Sequence, residues 1–176
     1  VKSYKKAIEL NPDFAEAYNN LGNALRRTGD VDAAIDAYQN ALTIRDRYPE
    51  AYNNLGTLLR EQGKDEQAQD ALRKAIQQNP RYVEAYNNLA ALLFAKGEDV
   101  EALRQLTEAL KLAPHDKRSL LLTARIQQRR GNFAAAEQAS RLVLKDDPDN
   151  AEAMTVLGIV LHEVDKYEEA LQLLEK

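Results

Sequence analysis

The chain has 176 residues, 44% of them apolar and 30% charged, the balance of a folded globular protein rather than a disordered one. It carries no cysteine and no tryptophan, which excludes a disulfide framework and thiol-based catalysis, redox or metal chemistry, and seven glycines with five prolines are too few for a turn-rich β fold. A net charge of −4 gives no basic surface for nucleic acid or for an anionic membrane.

Residues 1–14 form a partial unit that reads as one helix stopped by Pro12. Full units follow at 15–48, 49–82, 83–116 and 117–150, and a second partial unit at 151–176. The period is 34 residues: "AYNNLG" at 17–22 returns at 51–56, and "AYNNLA" at 85–90. Pro12, Pro80, Pro114 and Pro148 keep one phase of this period, and Gly29, Gly63, Gly97 and Gly131 keep another. Within the first full unit, Ala17, Tyr18, Leu21, Ala24 and Leu25 make one helical stripe, and Ala34, Ile35, Tyr38, Ala41 and Leu42 a second. Between them, Gly29 is placed to end a helix in the left-handed conformation and Asp30 to cap the next. Gly22 and Gly56, with Ala90 and Ala124 in the same phase, mark a face where a partner helix comes close. Neither helix of a unit buries its stripe alone, so the units must stack. The expectation is about eleven helices in one all-α array, beginning and ending on the second helix of a unit.

Tyr18, Leu21, Gly22, Leu25, Ala34, Tyr38 and Ala41, with their counterparts through Pro80 and Pro114, resemble the tetratricopeptide repeat family over essentially the whole chain. The unit at 117–150 departs most, with Leu120, Thr123, Ala124, Gln127, Ser140 and Val143 at the signature places. The resemblance implies a right-handed α-solenoid whose first helices line a concave groove, and a noncatalytic domain that binds proteins or peptides. The residues agree that no chemistry is built in. His115 and His162 stand in different phases without neighbouring ligands, the carboxylates of "GEDVEA" and "KDDPDN" lie at helix starts, and the glycines punctuate helices rather than cradle phosphate, so neither metal nor cofactor is expected.

Function is therefore sought at positions that packing does not require. Asn19 and Asn20, Asn53 and Asn54, and Asn87 and Asn88 fall between stripe residues, and asparagine is a mediocre helix former. A row of primary amides, each donor and acceptor, suits the peptide groups of an extended partner whatever its side chains. Asn20, Asn54 and Asn88 resemble the asparagine ladder of the tetratricopeptide superhelix in O-linked N-acetylglucosamine transferases. Asn23, Arg26, Arg60 and Phe94 share that face. Chaperone-binding members of the family hold a terminal carboxylate with groove lysines and arginines. Here Asn19, Asn53 and Asn87 replace the lysine and Asn88 the arginine, so that clamp is absent from the first three units.

Beyond unit 83–116 the amides give way to Leu121 and Leu122, then to Thr155 and Val156. Residues 117–130 hold Lys117, Arg118, Arg125, Arg129 and Arg130 with no acid. Arg118, Leu121, Leu122, Arg125 and Arg129 share one helical face, read as an exposed pocket for an acidic, apolar-anchored segment. The partner expected is a protein or peptide segment. Two further readings are a substrate-recruiting arm of a larger enzyme such as a glycosyltransferase, and a self-assembling module with uncovered ends. No run approaches the roughly 18 apolar residues of a membrane span, and no secretory signal is visible, so membrane insertion is not expected and the location reads as cytoplasmic. Val1 stands in place of an initiator Met inside the repeat pattern, so the chain reads as a piece of a longer one.

Overall fold

The computed structural model describes residues 1–174, in which all regular structure is helical. The helices are α1 (Lys2–Leu10), α2 (Ala15–Thr28), α3 (Val31–Ile44), α4 (Pro49–Glu61), α5 (Asp65–Gln78), α6 (Val83–Ala95), α7 (Asp99–Leu112), α8 (Lys117–Arg129), α9 (Phe133–Asp146), α10 (Ala151–Glu163) and α11 (Tyr167–Leu174). The described residues thus give the eleven helices that the period predicts, in an all-α repeat fold of the solenoid class. They fall into two compact units, Val1–Leu92 and Leu93–Lys176, with the division inside α6.

Helix ends follow the punctuation in the sequence. Pro12, Pro80, Pro114 and Pro148 each lie two residues beyond the end of α1, α5, α7 and α9, where a missing N–H costs no helical bond. Pro49 instead opens α4, a place where its fixed φ is suited to the first turn. Gly29 closes α2 at φ +82°, its N–H donating to the Arg26 carbonyl and that of Asp30 to the Leu25 carbonyl. At the same phase one residue breaks the rule: Asp165 adopts φ +61° after α10, and its carboxylate accepts the Tyr167 hydroxyl at 2.6 Å. Asp is among the few side chains that tolerate this region, at some cost. The expected cap at Asp30 is corrected, since its side chain makes no cap bond to α3. Side-chain caps are found instead at Asp116 on the Ser119 N–H and at Asn150 on the Ala153 N–H, before α8 and α10.

In Val1–Leu92 the helices pair as α2 with α3 and α4 with α5. The small residue on the first helix sets their approach. A Cβ added to Gly22 would stand 2.6 Å from Tyr38 Cε1, and one added to Gly56 2.7 Å from Leu72 Cγ, so the facing side chain fills the space a methyl would take. Tyr38 and Leu72 are completely buried as a result.

In Leu93–Lys176, α8 packs with α9 and both contact α10. Ala124, Ala136 and Ala139 meet Val156 and Val160 of α10, with Phe133 beside them, and Leu120, Val143 and Ala153 form a second cluster. At the phase of Tyr38 and Leu72, α9 carries Ser140, fully buried with an Oγ that has no hydrogen-bond partner. A desolvated hydroxyl without a partner costs about 1–3 kcal/mol. Ser140→Ala is therefore expected to leave the fold intact and to raise stability by about 1 kcal/mol, read as a higher thermal midpoint; a lower midpoint would show that the hydroxyl is bonded in solution.

Candidate functional site

The asparagine pairs sit on the first helices, α2, α4 and α6, but their two members do different things. Asn19, Asn53 and Asn87 are buried, 6%, 1% and 2% exposed. This corrects the expectation that they line an open groove. In Val1–Leu92 they form an amide spine from one first helix to the next. Asn54 Nδ2 donates to Asn19 Oδ1 at 3.0 Å, and Asn88 Nδ2 donates to Asn53 Oδ1 at 2.7 Å. Near each acceptor amide lies the tyrosine just before the next first helix, Tyr48 by Asn19 and Tyr82 by Asn53. Burial raises both phenols above their ordinary range, Tyr82 to about 12. The mediocre helix formers are retained at these places because a buried amide with its partners made is worth more than the propensity it gives up.

The second members differ along the chain. Asn20 is exposed and Asn54 half-buried, whereas Asn88 is buried, and its Nδ2 also donates to Thr57 Oγ1 at 3.1 Å. With both of its amide hydrogens engaged, Asn88 has little to give a partner. Beside Asn20, the half-buried Asn23 accepts the Tyr38 hydroxyl at 2.8 Å, and the half-buried Arg26 forms a bidentate pair with Glu61. Arg60 is half-buried on α4. Arg45 bonds Glu16 at 2.5 Å and lies 5.0 Å over the Tyr48 ring, and its hydrogen bond holds the Glu16 carboxyl below the usual range.

In Leu93–Lys176 the basic run of α8 meets acids from other elements. Arg129, exposed itself, makes a bidentate pair with Asp99 at the start of α7, donates to the Phe94 carbonyl at 3.0 Å and stacks 3.8 Å over the half-buried Phe94 ring. Arg125 lies 5.4 Å over the same ring and reaches Glu152 at 3.4 Å, and Lys117 bonds Asp147 at 2.9 Å. The local excess of charge that stood out in the sequence is thus largely matched in space. Leu122 and Val156 are buried, and Leu121 is half-buried against the cluster of Leu120, Val143 and Ala153. The reading of Leu122 and Val156 as exposed groove residues is corrected: apolar contact takes the place here that the amide spine holds in the other unit. Arg118 remains exposed at the start of α8.

Sequence reasoning missed Tyr48 and Tyr82, although their spacing of 34 residues repeats the period, and it missed Asp99, Glu61 and Glu152 as partners of the arginines. His115 reaches Asp146 at 3.3 Å, while His162 meets Tyr167 edge to face at 5.4 Å between ring centres. Among the described residues no group of three or more His, Asp or Glu is placed to hold a metal ion, and no helix is long and apolar enough to cross a membrane.

Family models described as tetratricopeptide repeat match residues 13–81 in one case and residues 53–117, 101–143 and 121–176 in another. No curated protein matches the sequence. Among solved structures, one described as YrrB, a TPR protein with an unusual peptide-binding site, is 24% identical, has a TM-score of 0.79, and is matched over 98% of this chain and 89% of that one. MamA is 22% identical at a TM-score of 0.81, over 92% of this chain and 88% of that one. The pilF protein of Pseudomonas aeruginosa is 22% identical at a TM-score of 0.88, over 97% and 78% respectively. At these identities the likeness is one of fold.

Proposed function

The chain belongs to the tetratricopeptide repeat family, and we propose that it is a noncatalytic interaction scaffold whose first helices bind an extended or helical segment of a partner protein. The observation that carries this reading is the pair Asn20 and Asn54, one repeat apart. Asn20 is exposed, and Asn54 is half-buried with only one of its two amide hydrogens engaged by Asn19. Each therefore keeps donor and acceptor capacity for a peptide group, the chemistry that recognises a backbone independently of its side chains. Asn23, Arg26 and Arg60 flank them. Packing accounts for Asn19, Asn53, Asn87 and Asn88, whereas it leaves Asn20 without a role.

A second surface in this reading is the exposed Arg118 and Arg125 with half-buried Leu121 on α8. Arg125 holds Glu152 only loosely, and an arginine fork that is partly engaged still has donors for a carboxylate. A segment bearing acidic residues around an apolar anchor suits it. Phe94 and Arg129 support this surface from behind through their stacking. The YrrB structure, described as having a peptide-binding site, supports peptide recognition on a fold of this kind.

The test is selection of unstructured peptides from a display library on the domain, followed by titration of the selected peptides. Asn20→Ala with Asn54→Ala is expected to weaken binding about tenfold or more, from two lost hydrogen bonds of roughly 1 kcal/mol each, with helical content unchanged by circular dichroism. Equal affinity for wild type and double variant would remove the amide row from the proposal.

A further inference from the structure

Two successive places in Val1–Leu92 are built from the same parts, except that one of them supplies its own arginine. At the first, the Arg45 guanidinium bonds Glu16 at 2.5 Å and lies 5.0 Å over the Tyr48 ring. A carboxylate from α2 and an aromatic face just before α4 thus hold one guanidinium.

One repeat later, Glu50 stands at the phase of Glu16 and Tyr82 at the phase of Tyr48. The first helices carry both places in like register, because Asn54 on Asn19 and Asn88 on Asn53 are the same hydrogen bond one repeat apart. Burial, followed by Glu84 and Glu50, raises the Tyr82 phenol to about 12, so both carboxylates lie near it. Burial followed by Glu16 raises Tyr48 in the same way. What differs is the cation. Asn79 has the phase of Arg45, and its Oδ1 accepts the Arg81 N–H at 3.1 Å in the turn after α5. Glu50 is exposed and makes no ion pair among the described residues.

The charges around the two places otherwise correspond. Arg47 and Glu50 beside the first have Arg81 and Glu84 as counterparts at the second. Arg47 leaves Glu16 to Arg45, and Arg81 likewise makes no ion pair among the described residues. Asp46, whose counterpart is Pro80, is turned to the Tyr52 hydroxyl at 3.1 Å.

We infer that Glu50 and Tyr82 bind the guanidinium of an arginine in the partner segment, as Glu16 and Tyr48 bind that of Arg45. The inference rests on the reading that the first helices take up an extended segment, since this arginine comes from outside the chain. Glu50 precedes Asn54 by four residues on α4, so the two share a face, and a segment paired with Asn54 can set a side chain on Glu50. Amides alone are indifferent to side chains, and this contact adds a preference. Arginine is favoured over lysine because its planar group bonds a carboxylate while it stacks on a ring.

The experiment is a titration of the full chain with N-acetylarginine methylamide, a probe too short to need the amide row, followed by NMR. The Tyr82 ring signals are expected to shift, and the equivalent capped lysine to bind more weakly. Glu50→Gln is expected to weaken the capped arginine about tenfold, through loss of a charged hydrogen bond. Asn79→Arg is expected to shift the Tyr82 signals without any probe and to abolish the response, because a built-in guanidinium takes the place. Circular dichroism checks the fold of both variants. Peptides selected on the domain are expected to share an arginine whose change to lysine weakens binding.

The inference is overturned if capped arginine leaves Tyr82 unmoved, if Glu50→Gln binds it as tightly as wild type, or if the selected peptides carry no arginine. Failure of the amide row looks different. Asn20→Ala with Asn54→Ala would then leave peptide affinity unchanged while capped arginine still moves Tyr82, and the arginine site would stand.

Discussion

Replacing Tyr38 by alanine is expected to lower the stability of the Val1–Leu92 unit by about 3–5 kcal/mol, the range for losing a fully buried aromatic side chain. The ring is 0% exposed and lies against Gly22, whose missing side chain is the reason the ring fits. Its hydroxyl donates to Asn23 at 2.8 Å. Truncation thus opens a cavity beside a residue that has no atoms to refill it, and it removes the partner of a half-buried amide. Since small domains are stable by only about 5–15 kcal/mol in total, the change takes a large part of the unit's margin. Tyr38→Leu is expected to be milder, because Leu72 occupies the same phase against Gly56 without a hydroxyl. Urea unfolding followed by circular dichroism measures both. A loss below about 1 kcal/mol for the alanine variant would mean that the α2–α3 pair contributes little to the unit.

The second large effect is expected at alkaline pH. Desolvation raises the Tyr38 phenol from 10.0 to about 12, and it does the same for Tyr82. A group whose folded-state pKa is raised binds its proton more tightly when folded. Its contribution is complete below pH 10 and is lost as pH climbs from there toward 12. Each phenol withdraws up to ~1.4 kcal/mol of stability per pH unit across that window. Both belong to Val1–Leu92, and of the eight tyrosines only Tyr167 lies outside it. The unit is therefore expected to unfold between pH 10 and 12, with tyrosinate absorbance and loss of helical signal rising together. Ordinary titration near pH 10 with the helical signal intact would show that these phenols are open to water.

The legible part of this fold was its periodicity. Gly29, Pro80 and Tyr38 act through local backbone geometry or through a helix partner in the same unit, so their spacing alone placed helices, turns and core. The asparagines were harder. Sequence spacing puts Asn19 and Asn20 on different sides of the packing stripe, but it does not say how near the next first helix comes, and that distance decides whether an amide is buried. The same is true of Leu122 and Val156, which looked exposed because no signature residue stood between them and the groove. The acids that meet the basic run of α8 were not legible for a related reason. The charge of that run was counted within α8, whereas Asp99, Glu152 and Asp147 meet it from α7, from α10 and from the turn after α9.

The amide spine also sets a grammar for lengthening or recombining these repeats. Each spine unit presents an acceptor amide to the unit after it and a donor amide to the unit before it, as Asn19 and Asn54 do. A tandem copy of residues 49–82 would thus find its counterpart on both sides. The same copy placed after residue 150 would set its Asn54 equivalent against Leu121, the residue at the phase of Asn19, where a carbonyl partner is replaced by methyl groups. Grafting is therefore expected to succeed within the asparagine-bearing repeats and to be penalised across the change from amide to aliphatic contact, where a half-buried amide meets only methyl groups.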